Sequence, residues 1–293
     1  MVKLLVAESA GSGDLLHERQ GLLDWTTPQG RIKSLPVYVS ESEKFLPMNK
    51  TTRSRALRNV HRDGLRERYD RLWSASIEKI RTGNIELDPI LEARTPDRRR
   101  GLTVIARPAG AVQQRVAAFL RELRHLEPNQ YYYPASEFHL TVLSLFAATV
   151  NHAPFLTQTE SYVAAVDSAL RKVGPFRIEF EGITTSPGAV MIQGFPANGA
   201  LNDLREILRE QLQVRQLAEG LDRRYRLETA HITVARFRVP LCDSKRLAAA
   251  LERARRRPFG ATNIGNLSLV KNDWYMTHQV LETLKRYRLP VRW

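Results

Sequence analysis

The chain has 293 residues, 43% of them hydrophobic and 26% charged, which is enough for one large domain or two ordinary ones and excludes disorder of the whole chain. Lys and Arg outnumber Asp and Glu by 45 to 31, a formal charge of +14, so the surface attracts anions without choosing among small phosphates, RNA and DNA. The one cysteine, Cys242, excludes an intrachain disulfide, and no Cys/His cluster has zinc-ligand spacing.

No stretch approaches the length of a membrane span, and the apolar run at 4–7 is too short for a signal-peptide core. The expectation is a cytoplasmic protein with no cofactor, no metal, no membrane and no evident obligate protein partner. Residues 1–68 read as an N-terminal extension, partly disordered or helical. It holds a small-residue loop at 9–13, interruptions at Pro28, Gly30 and Pro36, and an arginine-rich stretch with a narrow apolar stripe through Leu57, Val60, Leu65 and Leu72.

From residue 69 to 293 the pattern is regular and predicts one two-lobed domain. Residues 69–81 read as a helix, with turn signals at Asp88, Pro89, Thr95, Pro96 and Asp97. A buried strand over 101–108 is followed by a helix over 111–126 with apolar Val112, Val116, Phe119, Leu120 and Leu123. A strand over 138–146 and a helix over 154–173 come next. Strands over 176–183 and 189–195 flank a turn at Pro187 and Gly188, and an amphipathic helix over 201–217 carries leucines 201, 204, 208 and 212. A strand over 230–237, a helix over 244–256, a strand over 267–271 and a last helix over 277–287 complete the series.

The order strand, helix, histidine-bearing strand therefore occurs twice, in units of about 101–146 and 189–238. Val104 and Met191 are 87 positions apart, and His139 and His231 are 92 apart. That near-constant offset predicts two related lobes facing each other.

Phe138, His139, Leu140, Thr141 and Val142 match Ala230, His231, Ile232, Thr233 and Val234. On a strand, residues i and i+2 share a face, so each motif aims an imidazole and a hydroxyl the same way. Phosphodiester cleavage needs one proton taken from the nucleophile and one given to the leaving oxygen, and two histidines supply both near neutral pH. Threonine hydroxyls beside them can hold non-bridging phosphate oxygens. One His-x-Thr arises by chance in about one chain in three of this size, whereas two matched copies do so in roughly one in twenty.

These two motifs and their separation, with Tyr131, Tyr132, Tyr133 and Pro134 before the first, Arg224 and Tyr225 before the second, and Asn272, Asp273, Trp274 and Tyr275 near the end, resemble the 2H phosphoesterase superfamily, the relatives of bacterial 2′-5′ RNA ligase and RNA 2′,3′-cyclic phosphodiesterases. The resemblance spans roughly residues 69–293. It implies an α+β, bilobed fold with two pseudo-symmetric lobes, antiparallel sheets facing a central cleft and helices outside. It also implies metal-independent hydrolysis of a 2′,3′-cyclic or 2′-5′ linked phosphodiester of RNA or a nucleotide, with weak ligation in reverse in some members. His139 and His231 carry over as catalytic residues, and Thr141 and Thr233 as phosphate ligands. The motif does not say which histidine is the base.

Tyr133, Tyr225, Trp274 and Tyr275 are candidate substrate-binding residues through base stacking, with Tyr132 beside them. Arg223 and Arg224 lie where they reach a phosphate from a loop. Arg236 falls on the face opposite His231 if the strand is regular, which makes it structural. Two other readings stay open, a non-catalytic RNA- or nucleotide-binding module and mutarotase-like proton transfer on a sugar.

Overall fold

The computed structural model describes residues 50–223 and 225–291. They belong to one compact unit, Met48–Trp293. The loop at 9–13 and the rest of the expected extension up to residue 49 lie outside the described residues.

The first element is a long helix, α1 (Lys50–Arg81), followed by a short helix, α2 (Pro89–Ala93). Asp88 caps α2 by accepting the Ile90 and Leu91 N–H groups, as an N-cap carboxylate does. Then come β1 (Arg100–Ala106), α3 (Gly110–Leu126), the two-residue β2 (Tyr131–Tyr132) and β3 (Leu140–Thr149). Two helices, α4 (Ala153–Leu156) and α5 (Thr159–Leu170), lead to the hairpin of β4 (Phe176–Ser186) and β5 (Ala189–Pro196). After α6 (Ala200–Val214) the chain forms β6 (Ile232–Arg236), α7 (Ser244–Arg253), β7 (Pro258–Ile264), β8 (Asn266–Asn272) and β9 (Glu282–Arg288).

The strands build two antiparallel sheets, one ordered β3-β1-β8-β9 and the other β2-β6-β5-β4-β7. The fold is α+β and bilobed, with the sheets facing a central cleft and the helices outside. Leu102, Val104, Val142 and Leu145 on one sheet and Ile178, Ile192, Ile232 and Val234 on the other are buried in one continuous core.

Each half lends its helix to the other. α3, which follows β1, packs on β7 and α7 of the second lobe, with Phe119 edge-on to Phe259 at 5.7 Å. α6, which follows β5, packs on α5 and β3 of the first lobe. The short β2 pairs with β6 just before the chain turns to His139, so it stitches the two motif segments together.

Residue 68 lies inside α1, where Leu65 and Tyr69 pack against Phe195. One expectation meets a different structure. The helix expected over 277–287 is instead a turn followed by β9. Val280 and Leu281 donate to the Thr277 carbonyl as in a first helical turn, but the chain then extends and pairs with the open edge of β8. Sheet pairing outweighs local helix propensity there. No helix among the described residues is long and apolar enough to cross a membrane.

Candidate active site

Each histidine sits one residue before its strand, His139 ahead of β3 and His231 ahead of β6. Both line one cleft together with Thr141, Thr233, Tyr133, Arg236, Tyr225 and Trp274. Neither threonine hydroxyl is hydrogen-bonded to another described residue, so both are available to a ligand.

A β-bulge follows each threonine. Thr141 pairs with Ile105 and Leu143 with Val104, leaving Val142 as the extra residue. Thr233 pairs with Met191 and Ala235 with Val190, leaving Val234 as the extra residue. A bulge reverses which residues face which side. Ser144 and Arg236, each three residues beyond its threonine, therefore join the cleft. This corrects the expectation that Arg236 lies opposite His231, which assumed an unbroken strand. Arg236 is half-buried, donates from Nε to the Tyr133 hydroxyl at 2.9 Å, and lies 5.7 Å from the centroid of the Trp274 ring.

The imidazoles are anchored through Nδ1. His139 Nδ1 lies 2.8 Å from the Glu137 carbonyl, which only accepts, so the proton sits on Nδ1 and Nε2 is left unprotonated in the neutral ring. His231 Nδ1 lies 2.8 Å from the Thr229 hydroxyl. Burial pushes both rings down to about 4. For His139 the Glu137 carbonyl opposes that shift, and Arg107 and Arg236 add to it. For His231 Arg205 and Arg236 add to it, and so does His139 where that ring is protonated. Two rings neutral at pH 7, ringed by arginines, suit an anionic ligand.

Trp274 is held in place at the cleft wall. Its backbone N–H donates to Asp97 at 3.0 Å, Asp97 binds Arg99 through both carboxylate oxygens, and the Arg99 guanidinium lies 4.9 Å from the Trp274 ring centroid. Tyr225 is 64% exposed on the opposite loop, and Arg223 lines the cleft while paired with Glu219. Tyr275 does not line the cleft. It is buried, with its hydroxyl donating to Asp88 at 2.5 Å. Tyr132 is likewise buried and donates to the Glu127 carbonyl. Arg224 is outside the described residues. Among the described residues no group of three or more His, Cys, Asp or Glu is arranged to hold a metal ion.

Thr103, Ser144 and Met276 also line the cleft and were not expected there, Asn272 lines it although it was named only for the resemblance, and Arg205 lies behind it. Arg205 had a signal, since it lies on the apolar stripe of α6 four residues after Leu201 and is 1% exposed. A charged residue on a buried stripe needs partners there.

No curated protein matches the sequence. Similar solved structures include the Thermus thermophilus protein TT0787, 19% identical over 65% of this chain and 97% of that one, with a TM-score of 0.46. Escherichia coli LigT in complex with 3′-AMP is 11% identical over 65% and 98%, with a TM-score of 0.46. A conserved Agrobacterium tumefaciens protein of unknown function is 16% identical over 71% and 97%, with a TM-score of 0.47. The sequence model of the 2′-5′ RNA ligase superfamily matches residues 112–275, which include both His-x-Thr motifs. The chain belongs to the 2′-5′ RNA ligase superfamily.

Proposed function

We propose that the protein is a metal-independent phosphodiesterase that hydrolyses a 2′,3′-cyclic or 2′-5′ linked phosphodiester of RNA or a nucleotide. The observation that supports this most is the convergence of two imidazoles and two unengaged threonine hydroxyls on one cleft. One histidine takes the proton of the attacking hydroxyl or water, while the other, which carries its proton once the negative charge of the bound phosphate raises its titration, gives that proton to the departing oxygen. Thr141 and Thr233 hold the non-bridging oxygens, and the Arg236 guanidinium offsets their charge. Trp274 and Tyr225 give a base a stacking surface, each ring being worth about 1–3 kcal/mol per stacked base. Superfamily membership supports phosphoesterase-type chemistry in general, and the choice of linkage is the proposal.

The test is incubation in EDTA with 2′,3′-cyclic nucleotides, 2′-5′ and 3′-5′ dinucleotides and cyclic dinucleotides. Turnover of the 2′,3′-cyclic or 2′-5′ members is the expected result. Turnover that appears only on adding Mg²⁺, or RNA binding with no turnover of any member, would contradict it.

A further inference from the structure

Behind the cleft, α6 sends Arg205 into the core between the two motifs. Its side chain is 1% exposed. Nε donates to the Val142 carbonyl at 2.8 Å, and Nη2 donates to the Thr141 carbonyl at 3.2 Å and the Thr229 carbonyl at 2.7 Å. The first two carbonyls flank the bulge in the first motif. The third belongs to the residue whose hydroxyl holds His231 Nδ1. One planar group thus grips both motifs, a geometry that the guanidinium fork permits and a lysine ammonium does not reproduce.

The pseudo-symmetry sharpens the point. Glu137 and Thr229 each lie two residues before their histidine. In the first lobe the carbonyl at that position holds the imidazole. In the second lobe that carbonyl is taken by Arg205, and the Thr229 side chain holds the imidazole in its place.

Among the described residues no carboxylate pairs with Arg205. Burial pulls the guanidinium down to about 10, which leaves it charged at neutral pH. Asp222 and Glu206 act on it only at a distance, so a positive charge stands behind a site that receives an anion.

We propose that Arg205 is a positioning residue for the reaction, a single buried guanidinium that fixes the two His-x-Thr motifs relative to each other and sets a positive charge behind His231. Its geometric part acts on kcat, because a shift of about 1 Å between reacting groups costs on the order of 100-fold. Its electrostatic part acts on the titration of His231. The other titratable groups that bear on that ring are Arg236 on β6 and His139 across the cleft, and both stay in place when Arg205 is changed.

The experiment uses the full chain and two variants, Arg205→Lys and Arg205→Met, with thermal melting to establish folding. The histidine ring resonances are followed against pH by NMR, with His231→Gln used to assign the ring. This readout does not depend on turnover, so a failure of the phosphodiesterase reading leaves it intact. The kinetic arm rests on that reading. Expected in Arg205→Met is a His231 midpoint raised by about half a pH unit or more, with the Arg205→Lys midpoint near wild type. Both variants are expected to lose about 10-fold or more in kcat with little change in KM, since both lose the fork. A His231 midpoint unmoved in Arg205→Met, equal shifts in both variants, or wild-type kcat in both would overturn the proposal. Failure of both variants to fold would assign Arg205 to the fold rather than to the site and would also overturn it.

Discussion

The two histidines share a buried setting that bears on stability as well as on the proposed reaction. Burial, more than any neighbouring charge, keeps them neutral, with midpoints near 4 in the folded chain against about 6.5 in the unfolded one. As pH falls from about 6.5 toward 4, the unfolded chain takes up protons at these sites and the folded chain does not. Their effect on stability is nil above that window and unfavourable within it, so the protein loses stability through it. The melting temperature is expected to fall across this range, and the His139→Gln, His231→Gln double variant is expected to fall less. Parallel curves would show that other groups dominate. The cleft-facing Arg236 leads to a second expectation. If Arg236 binds the phosphate as proposed, Arg236→Ala removes a charge-assisted contact worth about 1.5–3 kcal/mol, and it leaves the Tyr133 hydroxyl without its donor. Steady-state kinetics should show kcat/KM lower by about 10- to 100-fold in a variant that is still folded but melts lower, because the buried Tyr133 hydroxyl loses its partner. An unchanged kcat/KM would remove Arg236 from the phosphate site.

At the scale of elements, α1 supports the second motif. The Tyr69 hydroxyl donates to the Gly194 carbonyl and accepts the N–H groups of Gly194 and Ala230, the residue beside His231. Tyr69→Phe leaves those buried groups unpaired and is expected to cost about 1–3 kcal/mol in denaturant unfolding. A variant as stable as wild type would show that the helix is only laid against the sheet. The strands and helices between 101 and 271 were largely legible, because their apolar periods of 2 and 3.6 match the faces they bury. Both His-x-Thr motifs were legible for the same reason. The bulges at Val142 and Val234 were not, since a bulge is a property of pairing and leaves the sequence of its own strand unremarkable. That is why Arg236 was read onto the wrong face and Ser144 was not read at all. β9 was hidden in the same way, its fate decided by the free edge of a strand ten residues earlier.

At the scale of the whole molecule, the exchange of α3 and α6 between lobes means that neither half completes its core alone. One cooperative unfolding transition is expected, coincident by near-UV and far-UV circular dichroism. Two separated transitions would show that the lobes are independent. The same architecture brings together two motifs 92 residues apart in sequence, whose histidines are proposed to work as a pair. The most direct test is kcat/KM in EDTA, on the best substrate of the panel, for His139→Ala and His231→Ala variants whose folding is verified by melting. Each variant is expected to fall by about 100- to 10,000-fold, the range of general acid–base catalysis. A folded variant that keeps activity within about threefold of wild type, far less than the loss of a proton-transfer group entails, would contradict it.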